Sequence, residues 1–346
     1  MIRRIITIET KCPARIDFTG GFTDVSPFRD RMKAIHINSA VDLYIQVRIK
    51  TRHDNRIFIH SPSEKIRKEF SSFSKLSKDV KYNFIATAMD TFSLRGGINI
   101  KIMSEIPTGI GLGSSGAFWV ALVAALYLLS AHKKVIRNYG ELAAKASDME
   151  NAAGFLGGRQ DQFASVFGNI NHFEFHQATW RVQPITLSKN KIKTLESHLI
   201  IAYRGGKRAS SEIVTSVLSA YMSNHKNTYN VLKNLNGLAP EIELALRNMN
   251  LRLLAQLLDK VRVLQEKLYA GIIDKPNKRV IQRLSHIPGV GSKMLGGGGN
   301  GACILVLSAI NDVRPLVFSV LKEAQYTIMP VRITSYGLQV KVKYSM

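Results

Sequence analysis

A chain of 346 residues, 45% hydrophobic and 21% charged, has the composition of a folded globular protein and the length for two domains with separate cores. Two cysteines, Cys12 and Cys303, are too few for a disulfide scaffold or a metal cluster, which fits a reducing, cytoplasmic setting. Lys and Arg exceed Asp and Glu by 23, but without a basic tail, C2H2 spacing or RNP-type aromatic strand, so nucleic acid is not the expected partner.

The basic residues are spread through the whole length and read as solvated surface that also attracts anionic substrates. The longest apolar stretch, Ala117 to Ala131, is too short to span a bilayer. The opening MIRRIITIETK lacks the continuous apolar segment and cleavage site of a signal peptide. No membrane partner is expected, and a homodimer is left open.

In chain order, IITIETKCPARIDFTGGFTD alternates apolar and polar residues and breaks at Gly20-Gly21, a strand entering a turn. AIHINSAVDLYIQVRIKT is rich in β-branched residues and predicts a second strand, with a turn at His53-Asp54-Asn55 before the strand RIFIHS. Residues 75–94 predict a helix and 97–106 a strand. FWVALVAALYLLSA is apolar on every side and predicts a helix buried between a sheet and other helices. YGELAAKASDMENAAG predicts a helix stopping near Gly154. NINHFEF and TWRVQPITL form an expected hairpin that closes the first domain near residue 190.

SHLIIAYRGG then opens a new unit as a strand, and three long helical segments follow, SSEIVTSVLSAYMSNH, TYNVLKNLNGLAPEIELALRN and LRLLAQLLDKVRVLQEKLY. Pro288-Gly289 marks a loop, and LGGGGNGA leads into the strand CILVLS. A helix in DVRPLVFSVLKEA and strands in TIMPVRI and GLQVKVK finish the chain, an order like a split β-α-β sandwich.

The stretch with the clearest chemistry is PTGIGLGSSGA, from Pro107 to Ala117, between a predicted strand and the buried helix. Glycines bring backbone N–H groups close to a ligand and a helix N-terminus adds partial positive charge, so the pattern outlines an anion site. Ser114 and Ser115 stand where capping hydroxyls belong. A plain glycine turn with a serine cap accounts for the same residues. No Lys follows the last glycine, which excludes a Walker A loop, and the glycine spacing is not that of the dinucleotide fingerprint.

Several stretches, in order, resemble the motifs of the GHMP kinase superfamily. PARIDFTGGFTD resembles the first motif in its sugar-kinase form, PTGIGLGSSGA the ATP-binding second, and KMLGGGGNGACILV the third. GGRQDQFASVFG and YRGGKRASSE are similar to segments of the sugar-1-kinase branch, the D-glycero-D-manno-heptose 7-phosphate kinases and fucokinases above all. The resemblance implies an α+β fold in two lobes. Residues 1–190 would form an ATP-binding lobe like ribosomal protein S5 domain 2, and 191–346 a ferredoxin-like lobe. It also implies a cofactor pair, ATP and Mg2+, and transfer of the γ-phosphoryl group to a hydroxyl, expected to be anomeric, of a sugar or a sugar phosphate such as a heptose 7-phosphate.

Site roles follow from the same resemblance. Pro107, Gly109, Gly111, Leu112, Gly113, Ser114, Ser115 and Gly116 would bind nucleotide. Ser114, with Ser115 the other candidate, and Glu150 would hold the metal. Asp161, eleven residues after Glu150, would be the general base, and Arg15 would stabilise the developing charge. Gly20, Gly21, Thr23, Asp24, Gly297 and Gly298 would face the acceptor. Arg204, Lys207 and Arg208 would hold a substrate phosphate or simply be surface charge. Taken without the resemblance, Asp161 caps a helix, Glu150 is a solvated helix carboxylate and Arg15 pairs with Asp17 or Asp24. Two departures stand out: Gly116 where relatives carry a third Ser, removing one polar contact, and Asn300 in the third glycine loop. A non-sugar acceptor (a mevalonate-like acid, a polyol or an amino-acid alcohol) and a catalytically silent basic binding protein remain as alternatives.

Overall fold

The computed structural model describes residues 4–133, 135–206, 210–223 and 226–345. The larger sheet holds β1 (Ile5–Asp17), β2 (Ala34–Thr51), β3 (Ile57–Ser61), β4 (Ile66–Phe70), β5 (Ile98–Ser104), β6 (Ile170–His176), β7 (Thr179–Pro184) and β12 (Gln339–Ser345). Its main path runs β12-β1-β2-β5-β3-β4, while β6 and β7 extend it from the near half of β2. All pairs are antiparallel except β3 with β5. The smaller sheet, β8 (Leu199–Tyr203), β9 (Val290–Met294), β10 (Ile304–Ser308) and β11 (Thr327–Met329), is antiparallel in the order β11-β8-β10-β9. Its chain order of strand, helices, two strands, helix, strand is that of a ferredoxin-like unit.

Helices α1 (Phe28–Arg31), α2 (Phe73–Ser77), α3 (Asn83–Thr91), α4 (Ser114–Ser130), α5 (Tyr139–Ala152), α6 (Gln160–Phe167) and α7 (Lys189–His198) precede β8 in the chain. The expected helix over 75–94 is two pieces, because Asp79 accepts the amides of Lys81 and Tyr82 and turns the chain between them. As the all-round apolar pattern required, α4 is buried on nearly every face and packs on β1, β2, α5 and α6. Helix α5 starts under the Asn138 side chain and ends before Gly154, whose φ is +89°.

The second half contributes α8 (Ser210–Met222), α9 (Lys226–Gly237), α10 (Ala239–Asn248), α11 (Leu251–Leu268), α12 (Lys275–Ser285) and α13 (Arg314–Glu323). Pro240 starts α10 and splits what the sequence presented as one helical run. Strand β12 did not fall where its place in the chain suggested. It pairs with β1 from Ile5↔Ser345 to Lys11↔Gln339, so the end of the chain returns to the larger sheet instead of completing the smaller one. Pairing gives its alternating residues a partner edge that a short terminal strand would otherwise leave open.

Candidate active site between the two sheets

A cleft of about 400 Å3 opens where the ends of β1 and α4 meet α6 and the glycine loop after β9. The loop of residues 107–113 is positioned from both sides. The Leu112 carbonyl accepts the Arg15 amide at 2.9 Å, and the Ile110 carbonyl accepts the Cys303 amide at 2.8 Å. Gly111 lies so close to the loop after β9 that a Cβ there would stand 2.4 Å from the Leu295 carbonyl oxygen. Gly113 caps α4 in the left-handed region, φ +73°, so Ser114 and Ser115 are the first helical residues and neither caps the helix as the sequence suggested.

Freed from capping, Ser115 donates to Glu150 Oε1, and Gln162 donates its amide to Oε2. Of the two serines, then, it is Ser115 that meets the carboxylate of α5. Burial pushes Glu150 up to about 8, with the nearby Asp161 charge adding to the push and the two hydrogen bonds opposing it.

Asp161 sits in the first turn of α6 and faces Arg15. The guanidinium reaches Oδ1 through Nε at 2.8 Å and Nη2 at 2.7 Å, and its Nη1 donates to the Gly111 carbonyl at 2.6 Å. Arg15 is almost sealed, but the Asp161 side chain keeps 29% exposure toward the cleft. Burial raises the Asp161 carboxyl above its ordinary range; Arg15 opposes this while Asp24 and Asp17 reinforce it. Gly116 lets α4 approach this point, since a Cβ there would lie 2.5 Å from that of Asp161.

Asp24 borders the cleft with 1% exposure. Its Oδ2 accepts the backbone amides of Arg159 at 2.7 Å and Gln160 at 2.8 Å, which fixes a carboxylate at the N-terminus of α6. Gly158 is required beside it, because a Cβ would fall 1.9 Å from Oδ2. The expected acceptor contacts divide. Gly21 and Gly297 line the cleft. Thr23 does not: its hydroxyl is buried against His36 Nε2 at 2.8 Å, because the turn after Gly21 folds it under β2. Gly20 packs against Val261 and Leu235, and Gly298 against the Ile272 backbone, so neither faces the cleft. Arg204 turns to Asn300 at 3.2 Å and Asp274 at 3.6 Å, and Lys207 and Arg208 lie outside the described residues.

The sequence reading missed a buried ion pair beneath this floor. Lys293 Nζ on β9 donates to Asp17 Oδ2 at 2.9 Å and to its carbonyl at 2.6 Å, both side chains being sealed. Asp17 also accepts the amides of Thr19 and Gly20. Burial alone would raise its carboxyl, but Lys293, His36 and Arg15 hold it well below the usual range. Lys293 is lowered by burial. The available signal was a lysine inside the otherwise uncharged run VGSKML, which a buried strand tolerates only with a partner. Gln160 and Gln162, flanking Asp161, were also passed over.

Residues 80–169, which include the first glycine loop, Glu150 and Asp161, match the family described as GHMP kinases N terminal domain. The chain is 27% identical over 216 residues to D-glycero-alpha-D-manno-heptose 7-phosphate kinase of Campylobacter jejuni, covering 60% of this chain and 62% of that protein. It is 23% identical over 344 residues to the bifunctional fucokinase/GDP-fucose pyrophosphorylase of Arabidopsis thaliana, covering 92% of this chain and 32% of the relative. It thus spans less than two thirds of the length of either. A crystal structure of a D-glycero-D-manno-heptose 1-phosphate kinase from Bacteriodes thetaiotaomicron superposes with a TM-score of 0.76 at 21% identity, covering 98% of this chain and all of the other. Lactococcus lactis galactokinase complexed with galactose gives 0.76 at 16% identity over 96% of this chain and 95% of its own. The α+β architecture is therefore that of the GHMP kinase structures.

Proposed function

We propose that this chain, a member of the GHMP kinase superfamily by its N-terminal domain, transfers the γ-phosphoryl group of ATP to a hydroxyl of a sugar or sugar phosphate. The observation that carries the reading is convergence: Arg15, Ser115, Glu150, Asp161 and the glycine loop, scattered over about half the sequence, border one cleft. We read residues 1–190, completed by β12, as the nucleotide lobe and the remainder of 191–346 as the second lobe.

Backbone amides of the 107–116 loop and the α4 N-terminus would cradle the phosphates. Asp161, poised above the usual carboxylate range and open to the cleft, would take the proton of the attacking hydroxyl as the O–P bond forms. Arg15 holds Asp161 in place, and its guanidinium would balance charge at the transferring group. The donor set at Ser115 and Glu150 fits a magnesium ion, because a hard cation would relieve a buried carboxylate that otherwise stays protonated. When bound, the ion would neutralise phosphate charge. Among the described residues no cluster of three or more His, Cys, Asp or Glu could hold a metal unaided, so phosphate and water oxygens would complete the shell. No helix of the described residues is long and apolar enough to cross a membrane.

The direct test is ADP release with Mg-ATP over a panel of free sugars, sugar phosphates, mevalonate-like acids and amino-acid alcohols. Turnover confined to sugars or sugar phosphates supports the reading, and turnover confined to the acids or amino-acid alcohols overturns its acceptor class. No turnover at all, with salt-sensitive retention of nucleic acid, favours the silent binder.

A further inference from the structure

We infer that Gln160 is the residue that reads a second hydroxyl of the acceptor, beside the one that loses its proton to Asp161; this rests on the sugar-kinase reading above. Gln160 lines the cleft, is 6% exposed, and its side-chain Oε1 is buried without a hydrogen-bond partner. Its backbone amide is already held by Asp24 Oδ2 at 2.8 Å, so the residue is anchored at the first turn of α6 while its carboxamide remains uncommitted. A buried carbonyl oxygen without a donor is destabilising, and proteins retain such groups where a ligand satisfies them.

The floor beneath this amide is bare. The nearest atom to a Cβ built on Gly21 is Gln160 Nε2, at 3.6 Å, so the chain at Gly21 contributes only backbone there. Phe22, Val25 and Val214 supply apolar wall to the same cleft. Gln162 on the other side of Asp161 also has an unpartnered Oε1, but its amide is spent on Glu150 at the end assigned to metal and phosphate. Gln160 is thus the uncommitted amide at the acceptor end. A carboxamide offers one donor face and one acceptor face, and a hydroxyl satisfies either, whereas a methylene satisfies neither. The site therefore selects a polyhydroxylated acceptor over one with a single alcohol.

The test takes the best sugar acceptor from the panel and its monodeoxy analogues, and measures kcat/KM with the parent and with Gln160→Met, an apolar side chain of similar length. A site built to bond a hydroxyl rejects the analogue lacking it by about a hundredfold or more. The expected result is that one deoxy position shows such a ratio in the parent. In Gln160→Met that ratio collapses toward unity, while ratios at the other positions and KM for ATP stay unchanged. Gln160→Ala, which leaves space where Met fills it, should lose the same ratio. A full set of ratios equal to the parent's in either folded variant overturns the inference and leaves the kinase reading intact. A parent that phosphorylates no sugar overturns both.

Discussion

Two carboxylate–cation pairs meet at the end of β1, and they are built to opposite ends. Arg15 and Asp17, two residues apart, project to the same face of the strand. Asp17 pairs with Lys293 in full burial, surrounded by amide donors, and its proton affinity is lowered. Arg15 pairs with Asp161, which keeps part of its surface open and whose proton affinity is raised. Burial raises both carboxyls, so the difference lies in the charges around each. Lys293, His36 and Arg15 together overcome the desolvation of Asp17, whereas Arg15 alone, opposed by Asp24 and Asp17, does not overcome that of Asp161. The sealed pair ties β9 of the smaller sheet to β1 of the larger; the open pair is the one able to exchange a proton with a ligand.

The comparison breaks most sharply at Asp161→Asn. If the open carboxylate is the base, kcat for phosphoryl transfer falls by about 10^2 to 10^4 while the melting temperature and nucleotide binding hold. Turnover near the parent rate removes Asp161 from the chemistry. Lys293→Met should do the reverse. It strands a buried Asp17 charge and is expected to lower unfolding free energy by about 3–5 kcal/mol, read by urea titration. Adding Asp17→Asn should recover much of that loss, since both charges are then gone. A single Lys293 variant as stable as the parent would mean the pair does not join the sheets energetically.

The third prediction extends the contrast to pH. The Glu150 carboxyl is raised in the fold to about 8, so the folded state holds a proton that the unfolded chain releases near its ordinary value of 4.5. Its contribution to stability is complete below that ordinary value and is lost as pH climbs to about 8. The slope is at most about 1.4 kcal/mol per pH unit for one proton. Asp17, lowered in the fold, has the opposite sign: its contribution is present above the ordinary carboxylate range and is lost in acid. Thermal melts from pH 5 to 8 of the parent and Glu150→Gln, without metal, isolate the first effect as a difference curve. A flat difference would show that Glu150 is ionised throughout.

Much of this arrangement was legible in the sequence, because the parts that carry it are local. Glycine spacing before an apolar run announced the loop and α4, while Glu150 and Asp161, which lie on consecutive helices, were singled out only by the resemblance to the GHMP kinase motifs. What was hidden depends on long-range register. No local pattern says that β12 returns to β1, since an alternating terminal strand pairs equally well with either sheet. Thr23 sits in a motif that faces the cleft, yet one turn of backbone decides that its hydroxyl meets His36 instead. Strands β4 and β9 were missed because charge in one (IRKEF) and small residues in the other (VGSKM) obscure the alternation that marks a strand.

Gly116 gives the smallest expected effect and separates two explanations of one residue. Read as a departure from a serine motif, it implies a lost polar contact, and Gly116→Ser should then improve nucleotide binding. Its place in the fold argues the contrary. A Cβ at 116 would lie 2.5 Å from Asp161 Cβ and 3.2 Å from the Gln162 amide nitrogen, so any side chain pushes α4 and α6 apart at the residue proposed as base. Overpacking of this kind costs about 1–3 kcal/mol, and a shift near 1 Å in the base can cost about a hundredfold in rate. Gly116→Ala and Gly116→Ser should therefore both lower kcat, with a modest fall in melting temperature and similar size, because the clash belongs to the Cβ they share. A gain in the Ser variant alone would restore the polar-contact reading and show that α4 has room to move; equal losses would mean that glycine here serves the half-open Asp161–Arg15 pair by proximity.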